Sequence, residues 1–208
     1  RSTVLIRLNT VRQFAEHAAW FDPATEVPVL DGRPYVNHRP RPHIYTAEQI
    51  DALLRATGRL RPAIRAASWR TLLGLLAVTG LRISEARSLD DADITADDSG
   101  DGGWVRVNET KFGKSRIVPL HSTTMTAITA YQRHRDRAFP RPATEALFVT
   151  RRGSRIATST AGATFRELRT LAGMTGSPSK PAARLHDFRH SFATNTLIGH
   201  VRSGGDVD

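Results

Sequence analysis

A histidine and an arginine near the end of the chain are the first residues whose types and spacing could do chemistry. His186 and Arg189 lie in the segment 185–198, whose apolar residues recur at near-helical spacing. This spacing predicts a helix on which the two side chains share a face. An arginine fork binds two phosphate oxygens, and an imidazole moves a proton near neutral pH. A core helix with a few exposed polar residues explains a single His-x-x-Arg as well, so this interpretation depends on partners elsewhere in the chain.

A second arginine is placed at the start of another predicted helix. Arg82 follows the almost wholly apolar segment 63–79 and Gly80, which is a typical helix end. Glu85 comes three residues later, so it can pair with Arg82 and hold its fork in one orientation. The apolar segment is expected to draw Arg82 toward the core, where an unpaired charge is costly. An ordinary turn with a surface arginine is the alternative.

Two lysines lie in the turn of a predicted β-hairpin. The segments 104–108 and 116–120 are strand-like, and Gly113 lies in the loop between them. Lys111 in this turn could reach a bound phosphodiester, although a single turn lysine usually serves solubility. Lys114 is in the same turn and is the competing candidate.

The composition indicates a polyanionic partner. The chain has 208 residues, with 30 Lys and Arg against 20 Asp and Glu, and its net charge is +10. This excess, almost all arginine, favours nucleic acid binding because neutralised phosphates release counterions; the codon bias of a GC-rich genome is the alternative explanation. The absence of cysteine excludes disulfides and thiolate metal sites. No apolar run reaches membrane-spanning length and no signal peptide is visible, so we expect a cytoplasmic, nucleoid-associated protein without a membrane partner.

Residue patterns divide the chain into three parts. Apolar residues in 1–21 predict one amphipathic helix, about 4–21, which we expect to be the end of a preceding helical domain. Proline and arginine punctuate 22–43, a basic linker that could follow a nucleic acid backbone or be a solvated tether. From 44 to 208 the predicted elements are helices at 47–56, 63–79, 81–89, 123–137, 160–172 and 185–198, the hairpin, and a short strand at 147–150. The fold class is therefore mainly α with a small antiparallel β-hairpin sheet (α+β).

The order arginine, hairpin lysine, His-x-x-Arg resembles that of the tyrosine recombinase (phage integrase) family, over about 44–207. Segment 79–85 is similar to its first arginine box, 110–120 to its lysine hairpin and 185–194 to its second box. The resemblance implies a catalytic domain for site-specific DNA recombination and integration, typical of mobile elements of prokaryotic or phage origin. Helix 4–21 would then be the last helix of the family's core-binding domain.

The resemblance also implies a role for each residue. Arg82 and Arg189 would clamp the non-bridging oxygens of the scissile phosphate, and Lys111 would donate a proton to the departing 5′ oxygen. His186 would assist proton transfer at the nucleophile, with His190 supporting the site. A 3′-phosphotyrosine intermediate would keep the bond energy for rejoining, without metal or cofactor. The implied partners are duplex DNA with an inverted-repeat core site and other protomers in a tetrameric synapse.

The nucleophile of the family is a tyrosine beyond the second box, preceded by a Gly-His box. Tyr35, Tyr45 and Tyr131 all come before the second box, so none occupies the matching place. Gly199 and His200 follow too closely to be the Gly-His box, and we interpret them as a turn ending the His186 helix. We expect both ends of the sequence to be truncation points within a longer protein. The chain is therefore expected to bind DNA weakly without cleaving it.

Two other functions compete with strand exchange. The first is a truncated, catalytically inactive remnant of an integrase that only binds DNA. The second is a metal-dependent phosphohydrolase, suggested by the neighbouring His186 and Asp187. That chemistry needs further ligands converging on the ion, but the other histidines lack ligand spacing and Arg189 would repel a cation.

Overall fold

The structure, a computed structural model, describes residues 2–29, 41–98, 100–108, 115–176 and 182–204. The chain separates into two units, Arg1–Arg41 and Pro42–Asp208. The first unit contains helix α1, Ser2–Ala18, which ends three residues before the predicted limit of 21. Residues 30–40 of the predicted linker lie outside the described residues.

The second unit combines helices with one small sheet. Its helices are α2 (Ala47–Thr57), α3 (Ala63–Thr79), α4 (Ile83–Ser88), α5 (Ser122–Ala138), α6 (Thr158–Leu171) and α7 (Asp187–Arg202). A 3₁₀ turn at Asp91–Asp93 leads into strands β1 (Ile94–Ala96), β2 (Gly102–Val107) and β3 (Arg116–His121). The strands are antiparallel in the order β1-β2-β3. The predicted class, mainly α with a small antiparallel sheet, is confirmed.

Helix α3 forms the centre of the core. Its apolar side chains lie nearly all round, and Trp69, Leu72 and Leu76 are at most 2% exposed. A helix with so many buried side chains needs several neighbours, and α3 packs against α2, α5 and α7. The preceding helix α2 begins where the sequence predicts, because Thr46 and Gln49 form the expected capping box.

The sheet contains the predicted hairpin and one strand that the sequence did not indicate. Val105 and Val107 of β2 are buried and alternate with exposed Arg106, as the period-two pattern predicts. Strand β1 was missed because its three residues are mostly exposed and show no apolar alternation. The hairpin turn with Lys111 and Lys114 lies outside the described residues.

Two local predictions were wrong. The segment 147–150 is not a strand: its neighbourhood makes only the isolated bridges Asp90–Ala146 and Val149–Arg155, and its apolar run reflects burial on all sides. The predicted turn at Gly199 and His200 is helical, since α7 continues to Arg202. The amide of Ser203 donates to the carbonyl of Gly199 at 3.1 Å, so one glycine does not interrupt the helical hydrogen bonds.

Candidate active site

Arg82 and Glu85 form the ion pair that their spacing predicts. Arg82 is the residue before α4, and its Nη1 donates to Oε1 of Glu85 at 2.9 Å. The backbone amide of Arg82 donates to Oε2 of the same carboxylate, also at 2.9 Å. One carboxylate therefore caps the short helix and holds the guanidinium that precedes it.

A second arginine, which the sequence did not single out, binds the same carboxylate. Arg116, the first residue of β3, donates from Nη1 and Nη2 to the two oxygens of Glu85 at 3.2 and 2.8 Å. Burial alone would raise the pKa of Glu85, but the hydrogen bonds from Arg116 and Arg82 outweigh it and lower that pKa to about 2. Arg116 and Glu85 are 31 residues apart, so no helical spacing reveals the contact.

Arg82 lies at the edge of the core and is half-buried. The Arg82 side chain is 42% exposed, whereas that of Glu85 is 8% exposed. The apolar surroundings thus enclose the carboxylate, and its two arginine partners keep part of their surface in solvent. This division suits anion binding, because a buried carboxylate fixes guanidinium groups that remain accessible.

Arg189 hydrogen-bonds to the backbone of the segment that leads into Arg82. Its Nη1 donates to the carbonyl of Gly80 at 3.0 Å, across 109 residues of sequence. Gly80 ends α3 with a φ of +60°, and an added Cβ would lie 2.5 Å from Cδ1 of Phe192 on α7. Only glycine suits this position, since both the conformation and the space exclude a side chain. The close approach brings Arg189 to the segment that leads into Arg82.

The two histidines of the second box lie together. His186 immediately precedes α7, and its ring centroid is 5.1 Å from that of His190, with the rings nearly perpendicular. Partial burial and His190 lower the pKa of His186; Asp187 opposes this effect, and Arg184 and Arg189 add to it. A neutral imidazole that can accept a proton is therefore favoured at neutral pH.

Tyr45 and Ser191 fix the start of α7. The Tyr45 ring stacks on Phe188 with centroids 4.4 Å apart, and its hydroxyl donates to the carbonyl of Arg184 at 2.9 Å. The amide of Tyr45 donates to Oγ of Ser191 at 2.8 Å. These contacts hold the turn that carries His186 against Tyr45, which lies near the start of the second unit.

A cleft of about 550 Å³ opens beside these residues. Arg116 and Arg189 contribute guanidinium groups to its wall, which also contains Thr79, Gly80, Phe192, Ala193, Thr196, Leu197 and His200. The structure therefore brings Arg82, Glu85, His186, Arg189 and His190 into one region of the second unit, around α3, α4 and α7. Lys111 and Lys114, the candidates for the catalytic lysine, lie outside the described residues.

Two further cavities differ in charge. One of about 620 Å³ has Arg61, Arg65, Arg151 and Arg152 in its wall, and it could accept phosphates. A larger one of about 690 Å³ lies away from the site. Its wall includes Asp90, Asp91, Asp136 and Glu145, so its charge does not suit DNA.

The residues that the structure describes contain no group of three or more His, Cys, Asp or Glu side chains able to hold a metal ion. Across the same ranges, no helix is both long and apolar enough to span a membrane.

A family model described as the phage integrase family matches residues 44–202. The chain belongs to the phage integrase family. Among its curated relatives is a putative integrase/recombinase of Sinorhizobium fredii, y4rB, which is 37% identical over 92% of this chain and 62% of its own length. The tyrosine recombinase XerD of Mycobacterium tuberculosis is 33% identical over 98% of this chain and 61% of its own length. The chain therefore spans about three fifths of the length of these two relatives.

Solved structures share the fold of this integrase family member at low sequence identity. A lambda integrase dimer bound to a COC′ core site is 16% identical, with a TM-score of 0.65 over 97% of this chain and 55% of its own. The XerA recombinase is 24% identical, with a TM-score of 0.60 over 92% of this chain and 61% of its own.

Proposed function

We propose that the protein carrying this chain cleaves and rejoins DNA at a specific site as a tyrosine recombinase, through a 3′-phosphotyrosine intermediate. The observation that carries the proposal is the contact between the two arginine segments. Arg189 binds the carbonyl of Gly80, two residues before Arg82, although the segments are far apart in sequence. Membership of the phage integrase family supports the same reaction.

The proposed roles follow from charge and accessibility. Arg82 and Arg189 bind the non-bridging oxygens of the scissile phosphate and stabilise the charge of the in-line displacement. Glu85 fixes the fork of Arg82. His186, whose lowered pKa favours the neutral ring, accepts a proton at the nucleophile, and His190 supports it from 5.1 Å away.

The protonation of the leaving group is assigned to the hairpin lysine. Lys111 would donate a proton to the departing 5′ oxygen, with Lys114 as the alternative in the same turn. The assignment is supported by the residues on either side of this turn: Val107 and Arg116 pair across the hairpin, and Arg116 binds the Glu85 carboxylate.

We propose that the nucleophile comes from outside these 208 residues. Tyr45 is 1% exposed, and its hydroxyl is bound to Arg184. Tyr131 is 3% exposed, and its hydroxyl is bound to Ser68 and to the amide of Val149. Burial raises the pKa of both phenols, so neither is an accessible or activated oxygen. The third tyrosine, Tyr35, lies outside the described residues.

The proposed partner is duplex DNA with an inverted-repeat core site. The charge of +10 and the arginine-lined cavity of about 620 Å³ support contacts to the phosphate backbone. Structures of lambda integrase show a dimer at a core site and a tetramer at a Holliday junction. By analogy, residues 44–208 would be the catalytic domain, 1–21 the end of a DNA-clamping domain and 22–43 the linker, with protomers joined in a tetrameric synapse.

A DNA-binding remnant without cleavage is the second candidate, and the buried hydroxyls of Tyr45 and Tyr131 favour it for these 208 residues. The test begins with selection of a binding sequence from random duplex DNA by the product of the complete reading frame. A nicked, end-labelled duplex of that sequence then traps any covalent adduct.

The expected result is an adduct with the complete product and none with the 208-residue chain. Arg82→Gln and Arg189→Gln should each reduce adduct formation by about 100-fold or more, because each removes a guanidinium group from the transition-state charge. Arg106→Gln removes the same charge from a 57% exposed side chain and should leave the rate unchanged. An adduct with the 208-residue chain, or full activity of either arginine variant, would refute the assignment.

A further inference from the structure

Arg82 and Arg116 both donate hydrogen bonds to the carboxylate of Glu85. Oε1 accepts from Nη1 of Arg82 at 2.9 Å and from Nη1 of Arg116 at 3.2 Å. Oε2 accepts from the amide of Arg82 at 2.9 Å and from Nη2 of Arg116 at 2.8 Å. Each oxygen is thus shared between the two arginines, and the parallel bonds from the Arg116 fork fix the plane of the carboxylate.

The element that carries Arg82 is too short to be rigid by itself. Helix α4 has six residues, and helices of this length depend on contacts outside their own hydrogen bonds. The carboxylate of Glu85 belongs to α4 and also caps it, so it cannot anchor the helix to the rest of the domain without an outside partner. Arg116 is such a partner, because it belongs to β3.

Arg116 also stands at the base of the hairpin turn. It pairs with Val107 at the last register position of β2 and β3 before the turn, which contains Lys111 and Lys114. The bonds to Glu85 therefore join the end of β3 that is next to the hairpin turn to α4. A shift of the hairpin relative to Arg82 would have to break two charge-assisted hydrogen bonds.

The charge balance at the cleft keeps this arrangement attractive to an anion. Arg116 and Arg189 both line the cleft, and the Arg116 side chain is 35% exposed. With Arg82 included, these three guanidinium groups against the one carboxylate leave two net positive charges. Glu85 can therefore orient the arginines without cancelling their attraction for a phosphate.

We propose that Arg116 is a positioning residue that acts through Glu85: it sets the orientation of Arg82 at the scissile phosphate by holding α4 to strand β3. The proposal rests on the proposed role of Arg82 in DNA cleavage. Arg116 itself need not touch the phosphate. Its removal should slow the chemical step and leave DNA affinity almost unchanged, because the duplex is bound over a much larger charged surface.

The test compares Arg116→Gln, Arg116→Lys and the control Arg106→Gln in the product of the complete reading frame. Arg106 is on the neighbouring strand, and its ion pair with Asp93 is long, at 3.9 Å. Single-turnover cleavage of the nicked duplex and the dissociation constant for the intact duplex are measured for each variant. The carboxyl carbon of Glu85 is titrated by NMR, and the guanidinium signals of Arg82 are recorded.

Arg116→Gln should slow cleavage by about 10- to 100-fold, since small misplacements of a catalytic group have effects of this size. Its dissociation constant should stay within about twofold of that of Arg106→Gln, because both lose one backbone-attracting charge. Arg116→Lys should restore only part of the rate, because an ammonium group lacks the planar fork. In Arg116→Gln the pKa of Glu85 should rise from about 2 and the Arg82 signals should shift or broaden.

Unchanged cleavage in Arg116→Gln would overturn the proposal, because Arg116 would then be dispensable. A full rate in Arg116→Lys would overturn it as well, because a positive charge alone would then suffice. If the unmodified protein cleaves no DNA, the proposed function fails, and the NMR readouts still decide the positioning role. Arg82 signals identical in Arg116→Gln and the unmodified protein would show that Arg116 does not position Arg82. Circular dichroism of each variant excludes misfolding as the cause of a lost rate.

Discussion

Replacing Glu85 by Gln should destabilise the protein in a pH-dependent way. The pKa of Glu85 is about 2, compared with the ordinary carboxyl value of 4.5. This difference corresponds to about 3 kcal/mol of stability from the ionised carboxylate at pH 7. The Glu85 side chain is 8% exposed, but those of Arg82 and Arg116 are 42% and 35% exposed, so solvent screens these ion pairs and we expect about 1 to 2 kcal/mol to be measured.

The sign of the effect follows from the direction of the shift. The folded state binds a proton to Glu85 less readily than the unfolded state does, so the contribution is complete above the unfolded pKa of 4.5. It decreases as the pH falls toward 2, and about half of it remains at pH 3. Glutamine cannot ionise, so the difference between the two proteins should decrease along the same curve.

Urea unfolding at pH 7 and pH 3 measures this difference, and urea is preferred because guanidinium chloride would screen the ion pairs. Glu167→Gln is the matched control, because its carboxylate is 45% exposed and contacts Arg65 at 2.7 Å. The control should cost less than about 1 kcal/mol. A loss of stability in Glu85→Gln that is equal at pH 7 and pH 3 would refute the reasoning.

Two further substitutions test the packing that supports the site. Gly80→Ala should destabilise the protein by about 2 to 4 kcal/mol, because φ is +60° and the new methyl would meet Phe192 at 2.5 Å. Thermal unfolding would check this, and a melting temperature within error of the parent's would contradict it. Tyr131→Phe should cost about 1 to 3 kcal/mol, because the buried amide of Val149 and the hydroxyl of Ser68 lose a partner. Urea unfolding of the variant checks the value, and a neutral result would mean that the hydroxyl is dispensable.

Contacts between residues close in sequence were predicted correctly. The capping box of Thr46 and Gln49 and the pair of Arg82 with Glu85 were both predicted, and both join residues three positions apart. Helix geometry alone brings such residues together, so their spacing carries the information. The almost wholly apolar segment 63–79 likewise identified the central helix, because a helix with apolar residues nearly all round is typical of a buried core position.

Predictions failed where local pattern and tertiary environment differ. The apolar run at 147–150 gave no strand, because its burial comes from packing on all sides rather than from strand pairing. Gly199 did not end α7, because an exposed glycine within a continuous helix lowers its stability without breaking it. In both cases the residue type was compatible with more than one structure.

The sequence by itself determined the fold class, the central helix and the residues that we propose for phosphate binding, because these depend on composition and short spacing. Only the tertiary structure decided how those residues are held. The Arg116–Glu85, Arg189–Gly80 and Tyr45–Ser191 hydrogen bonds join residues 31, 109 and 146 positions apart. Each bond joins two elements that only tertiary packing brings together, and spacing along the chain contains no information about that packing.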